Sequence, residues 1–343
     1  MNTRTLSAAA ILCFTIVAPA LAVAQQQGNA STVGRTVNLE FHSDFWLNLH
    51  HALYVAASDR GARNGAARPA GESGGFGASL SPEERQIWDG AVDIYARDFV
   101  SKDLLFDYQM TSVKIALGET GEDLAAAART LPAPMKNALE AAAPIYRAHS
   151  WEADDRANRA WIAEARRHLE ELAPAVTPRL GALFGTVWPT APVRVDAVRV
   201  GFRLGAYTSN GPPDWIVIST SDPNNQGWAQ AEVLFHETSH LLIHPVEQAL
   251  YVAGRDAHVA VPRVLWHVVL FYTAGELTRQ ALASRKVAYQ PYLYATGLFD
   301  RAWPTYRPAI ERVLPDFLAG KRTREDMAQA LVRAIPAAEG SRP

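Results

Sequence analysis

The chain has a single cysteine, Cys13, among 343 residues. That scarcity excludes a great deal. If the segment around Cys13 is removed, as argued below, nothing is left to form a disulfide, a thiolate metal site or a cysteine nucleophile. Any metal held by the remaining chain must then sit on histidine and carboxylate. Charge of one sign is lacking too: 33 Lys and Arg stand against 35 Asp and Glu, a formal net charge of −2. A near-neutral chain has no electrostatic footprint for nucleic acid or for an anionic membrane. Long hydrophobic runs are also missing. The best, Ala8 to Ala18, is too short to span a bilayer, which needs about 20 apolar residues. It follows Arg4 and leads through Pro19 to Ala22-Val23-Ala24. A short basic segment, an apolar segment and an A-x-A site predict a signal peptide, 1–24, cleaved after Ala24. Small residues do not precede Cys13 as a lipoprotein signal would require. Export of a cysteine-free protein suits a bacterial periplasm or secretion, with no stable membrane anchor after cleavage.

The remaining chain, 25–343, is long enough for one large unit with a substantial core. Its first part reads as helical. Phe41, Phe45, Trp46, Leu49, Leu53 and Tyr54 recur at spacings of three and four, which predicts an amphipathic helix over 37–57. The stretch 61–79 is rich in glycine and small residues and reads as a flexible loop. Ser81-Pro82-Glu83-Glu84 supplies a cap, a first-turn proline and a capping-box glutamate for a helix running to about Phe99. Further helices are expected near 120–130, 134–147 and 151–173. The character changes after Pro189. Residues 193–200 alternate apolar and polar like a half-buried strand. Residues 207–213 contain an Asn-Gly-Pro-Pro turn, and 214–219 form a second, β-branched strand. A loop at 221–227 leads to a helix over 228–244. Another apolar helix spans 264–283. The class expected is therefore α+β, mainly helical with a small sheet. A helical lobe covers about 35–185, a core about 190–285 and a helical segment about 290–336.

The chemistry lies in His236-Glu237-Thr238-Ser239-His240. On a helix, residues four apart share a face, so His236 and His240 can take two corners of a tetrahedral Zn²⁺ site. Glu237 can then reach a water beside them and take its proton. The order strand, turn, strand, loop and H-E-x-x-H helix resembles the zincin metallopeptidases over about residues 190–285. Within them it looks most like the gluzincin arrangement. That resemblance implies a peptide or protein substrate, an edge strand beside the helix, His236 and His240 as zinc ligands, Glu237 as general base, and a third ligand from a glutamate on a later helix. A metzincin would need glycine and histidine where Ile243 and Val246 stand.

Glu276 is the expected third ligand. A carboxylate in an apolar helix is costly to bury unless it is paired or metal-bound, and Gly275 beside it permits close approach of another helix. A salt bridge from Glu276 to Arg279 is the alternative, and His267 is the alternative ligand. The two candidates are nine residues apart, half a turn out of phase, so both cannot easily face one metal. His244 lies too far along the axis from His236 and reads as a supporting or capping residue. Asp256 and His258 are weaker candidates in a loop. For the donor that steadies a developing oxyanion, Tyr272 comes first, one turn before Glu276. His267, Tyr292 and Tyr294 are its rivals. His42, Asp44, His50 and His51 form a second polar group, read as satisfied or surface histidines more readily than as part of the cleft. A different class remains open: an exported zinc-binding or interaction protein without turnover.

Overall fold

The computed structural model describes residues 37–63, 80–121, 123–201, 205–209 and 214–335. The expected leader at 1–24 lies outside the described residues, as does most of the glycine-rich stretch. In chain order the elements are β1 (Leu39–His42), α1 (Phe45–Arg63), α2 (Pro82–Asp98), α3 (Tyr108–Glu119), α4 (Ala133–Tyr146), α5 (Glu152–Phe184), β2 (Val193–Val198), β3 (Ala206–Ser209), β4 (Trp215–Ser219), α6 (Ala229–Ser239), α7 (His244–Ala257), α8 (Leu265–Ser284), the short turns α9 (Tyr292–Ala295) and α10 (Leu298–Ala302), α11 (Arg307–Leu318) and α12 (Arg324–Ala334). This is a mostly helical α+β architecture with one small sheet. Among the described residues no helix is long and apolar enough to cross a membrane.

The sheet has the order β1-β2-β4-β3. β1, β2 and β4 run parallel, and β3 closes one edge antiparallel to β4. Its two faces feed two cores. Val193, Val195 and Ala197 of β2, with Ile216 and Ile218 of β4, pack among residues of α5, α6, α8, α11 and α12. Trp215 and Val217 of β4, with Val198 and Tyr207, pack among α1 to α4. The half-buried strand expected at 193–200 is thus covered on both sides. Its polar positions survive burial by pairing: Arg194 bridges Asp196 and Asp44 and lies over the Trp215 ring, and Trp215 donates its indole N–H to Asp196.

Other departures from the expected elements have local causes. The helix read over 37–57 is split, because 39–42 pairs in register with β2 as strand β1. Residues 207–209 of the stretch expected to hold a turn belong to strand β3, and the Asn-Gly-Pro-Pro turn itself lies outside the described residues. The helix expected near 120–130 is only a single tight turn, Leu124–Ala126, after the unexpected helix α3. Arg147–Trp151 forms a wide helical turn that carries α4 into α5, and α5 runs on to Phe184. The capping box of α2 is as read: Ser81 Oγ accepts from the Glu84 N–H, and Glu84 accepts from the Ser81 N–H.

Candidate metal centre

The helix expected to reach His244 stops earlier. α6 ends at Ser239, and its last turn tightens as the His240 N–H bonds back to the Glu237 carbonyl at 3.3 Å. Pro245 then occupies the first turn of α7, where its missing N–H costs nothing. His244 is the first residue of that helix, exposed and 3.5 Å from Glu247. It takes no part in the centre.

α6 is buried from Gln230 to Ser239, so His236 and Glu237 reach the site from a desolvated backbone. α8 packs against it and brings His267 from its first turn. The three imidazoles converge. His236 Nε2 lies 3.3 Å from His240 Nε2 and 3.2 Å from His267 Nε2. One nitrogen from each of the three falls within a common 4.8 Å. Tetrahedral zinc with nitrogen ligands at 2.0–2.1 Å sets those ligands about 3.4 Å apart. The donor set therefore fits a single divalent ion on geometry as well as chemistry. Burial holds all three rings neutral, the form that ligates: His236 well below the usual histidine range, His240 at about 4 and His267 at about 3. The neighbouring imidazoles add to the depression at His236 and His267. His236 Nδ1 is buried without a hydrogen-bond partner among the described residues. Its ring is instead held by Phe271, the centroids 3.7 Å apart.

Glu276 is not brought to this cluster. It faces the other side of α8, half a turn from His267, and pairs with Arg279 through contacts of 2.8 to 3.1 Å. That ion pair satisfies the carboxylate whose burial cost had suggested a metal. Tyr272 shares its side. It is buried within electrostatic reach of Glu276, and desolvation first, then that carboxylate, push its phenol up to about 12. Among the described residues the third member of the cluster is therefore His267, the alternative ligand, and not Glu276. Among the rival tyrosines, Tyr294 donates to Glu311 at 3.1 Å, on the side where Tyr272 lies. Tyr292 is the one beside the centre. Its ring stacks on Phe271 at 6.1 Å and 23°, and its phenol, raised to about 12 mainly by burial, feels Asp222 and Glu237.

Glu237 is 5 % exposed and accepts a 2.6 Å hydrogen bond from Thr208 Oγ1 on edge strand β3. Desolvation raises its carboxyl to about 7, against the pull of the threonine. Thr208 was hidden just before the Asn-Gly-Pro-Pro turn, in a stretch not read as strand. Glu232 was missed altogether. It precedes His236 by one turn, is fully buried, and is raised to about 7 by desolvation. It accepts from the Tyr289 hydroxyl at 2.6 Å and from the Tyr292 N–H at 3.0 Å. The signal was available: the burial argument applied to Glu276 holds equally for a glutamate in the apolar stretch before His236. Gly275 is needed for this clasp, since a Cβ there would stand 2.8 Å from Glu232 Oε1 and 2.8 Å from Pro291.

The remaining histidines lie elsewhere. His42 is 3.7 Å from Glu40. His50 and His51 are fully buried in the core around α1, bonded to Tyr95 and Tyr207. His258 ends α7 in a left-handed conformation. Comparison with models of protein families, with curated proteins and with solved structures finds no match for this chain.

Proposed function

We propose that this chain is an exported zinc-dependent hydrolase of the zincin type, acting on peptide or related amide bonds. The observation that carries the reading is the convergence of three imidazole Nε2 atoms, with a buried carboxylate on the residue that follows His236. The order of elements supports it: an antiparallel edge strand, β3, touches the H-E-x-x-H helix through Thr208 and Glu237. The chain departs from the gluzincin pattern in its third ligand, a histidine where that pattern has a glutamate.

His236, His240 and His267 would hold the ion, and three neutral ligands leave its full charge uncompensated. When bound, zinc would polarise the substrate carbonyl and lower the pKa of water towards neutrality. Glu237 takes the proton of the attacking water and returns it to the leaving nitrogen. Burial raises the carboxyl to about 7 in the metal-free protein, and the charge of a bound ion would draw it back down, which keeps it ionised and able to take the proton at neutral pH. Thr208 holds the carboxylate through its hydroxyl, which lies 2.6 Å from Glu237 Oε2 and 3.0 Å from the Glu237 carbonyl. Tyr292 offers its hydroxyl to the oxygen that gains charge, with its backbone fixed by Glu232.

Glu237→Gln tests the reading. The variant should keep its metal and lose hydrolysis of a peptide panel by about 10²–10⁴-fold, the usual share of a general base. Unchanged hydrolysis would remove Glu237 from the chemistry. A zinc-loaded wild type inert on both peptides and esters would leave a binding protein.

A further inference from the structure

Three aromatic rings contact the histidines, and a fourth stacks on one of the three. Phe271 lies 4.8 Å from His267 and 3.7 Å from His236 between centroids. Trp266 meets His240 edge-on at 5.5 Å and tilts against His267 at 5.1 Å. Trp303, just past α10, stands 5.8 Å from His267 and 5.7 Å from Phe271. Tyr292 stacks on the same Phe271. All four are only partly buried, while Val268, Val269 and Leu270 between the first two are completely covered. Glu237 itself is held by the hydroxyl of Thr208.

Single exposed apolar residues are ordinary on protein surfaces. Here three separate segments bring partly exposed rings into one contiguous wall, in contact with the histidines or with each other. Each ring forgoes burial that folding alone would reward. We propose that this wall is the specificity surface, and that the substrate class is a peptide or acyl amide with a bulky apolar group, aromatic by preference, next to the scissile bond. Such a group covers the rings and gains offset or edge-on stacking. A charged group in the same place loses its hydration against apolar rings. The proposal rests on the hydrolase reading above.

Simple hydroxamates separate the two. They anchor on a zinc ion through one end and carry a variable group at the other. Zinc-loaded protein is titrated by calorimetry with the methyl, isobutyl, benzyl and carboxyethyl compounds. Affinity should rise from methyl to isobutyl to benzyl, the last at least about tenfold tighter than methyl. Carboxyethyl should be no tighter than methyl. Trp303→Ala, with Trp266→Ala as the second variant if the first does not fold, should shrink the benzyl-to-methyl ratio to about threefold or less. Affinities independent of the group, or a ratio that both variants preserve, overturn the wall while leaving the zinc site standing. Failure of every hydroxamate to bind overturns the zinc site, and the wall with it.

Discussion

The molecule holds two buried groups of histidines, and only one of them has the makings of a metal centre. His50 and His51 are as deeply buried as His236, and desolvation depresses both, His50 to about 3. By burial and acidity alone the two groups are alike. Geometry separates them. His50 and His51 are adjacent on α1, so their rings diverge by about 100°. His50 Nδ1 meets the Tyr95 hydroxyl at 3.0 Å and His51 Nε2 meets the Tyr207 hydroxyl at 3.3 Å, on different neighbours. His236 and His240 are four apart on α6, and His267 closes the triangle from α8. Perturbed acidity reports that a ring is buried; convergent lone pairs report what it is for.

Exchanging residues between the groups should give the largest contrast. His236→Ala or His240→Ala is expected to abolish metal retention and to cost at least about 10³-fold in peptide hydrolysis. His50→Ala or His51→Ala should keep the metal and instead lower stability by on the order of 2–3 kcal/mol, from a cavity and an orphaned tyrosine hydroxyl, read as a lower Tm. An active, zinc-bound His236→Ala would erase the distinction.

The two tyrosines give a smaller contrast. Tyr292→Phe should reduce kcat by about 10- to 100-fold with little change in KM, whereas Tyr272→Phe, on the far side of α8, should stay within about twofold. A reversed order would return the oxyanion role to the Glu276 side of the helix.

The smallest effect lies in the pH profile. Glu237 must be ionised to act as base, so kcat should rise with pH and then level off, with a midpoint at or below the metal-free value of about 7 because the ion's charge favours the carboxylate. Thr208 donates to the ionised carboxylate and so lowers its pKa. Thr208→Val should therefore move the acid limb upward, by about one pH unit or less. A downward shift would contradict that hydrogen bond.

Much of the architecture was legible where local signals sufficed. α2 carries its capping box, and α8 runs within a residue of the expected 264–283. The failures are non-local. β1 is four residues long and exists because Leu39–His42 pairs with Val193–Asp196 far along the chain. β3 is a short strand with a turn signal beside it, made by pairing with β4. The site shows the same limit. The spacing of His267 and Glu276 revealed that they face opposite ways, but not which way faces α6. The cost of burying Glu276 pointed away from His267, and Arg279, one turn on, already meets that cost. Thr208 and Glu232 act across strand and helix contacts that no periodicity encodes.

The most direct test is zinc stoichiometry, measured on purified, zinc-reconstituted wild type, His267→Ala and Glu276→Ala after equilibration with the same weak chelator. About one zinc per chain is expected in the wild type and in Glu276→Ala, with little or none in His267→Ala. Zinc retained by His267→Ala and lost from Glu276→Ala, or absent from the wild type, would contradict a centre built from His236, His240 and His267.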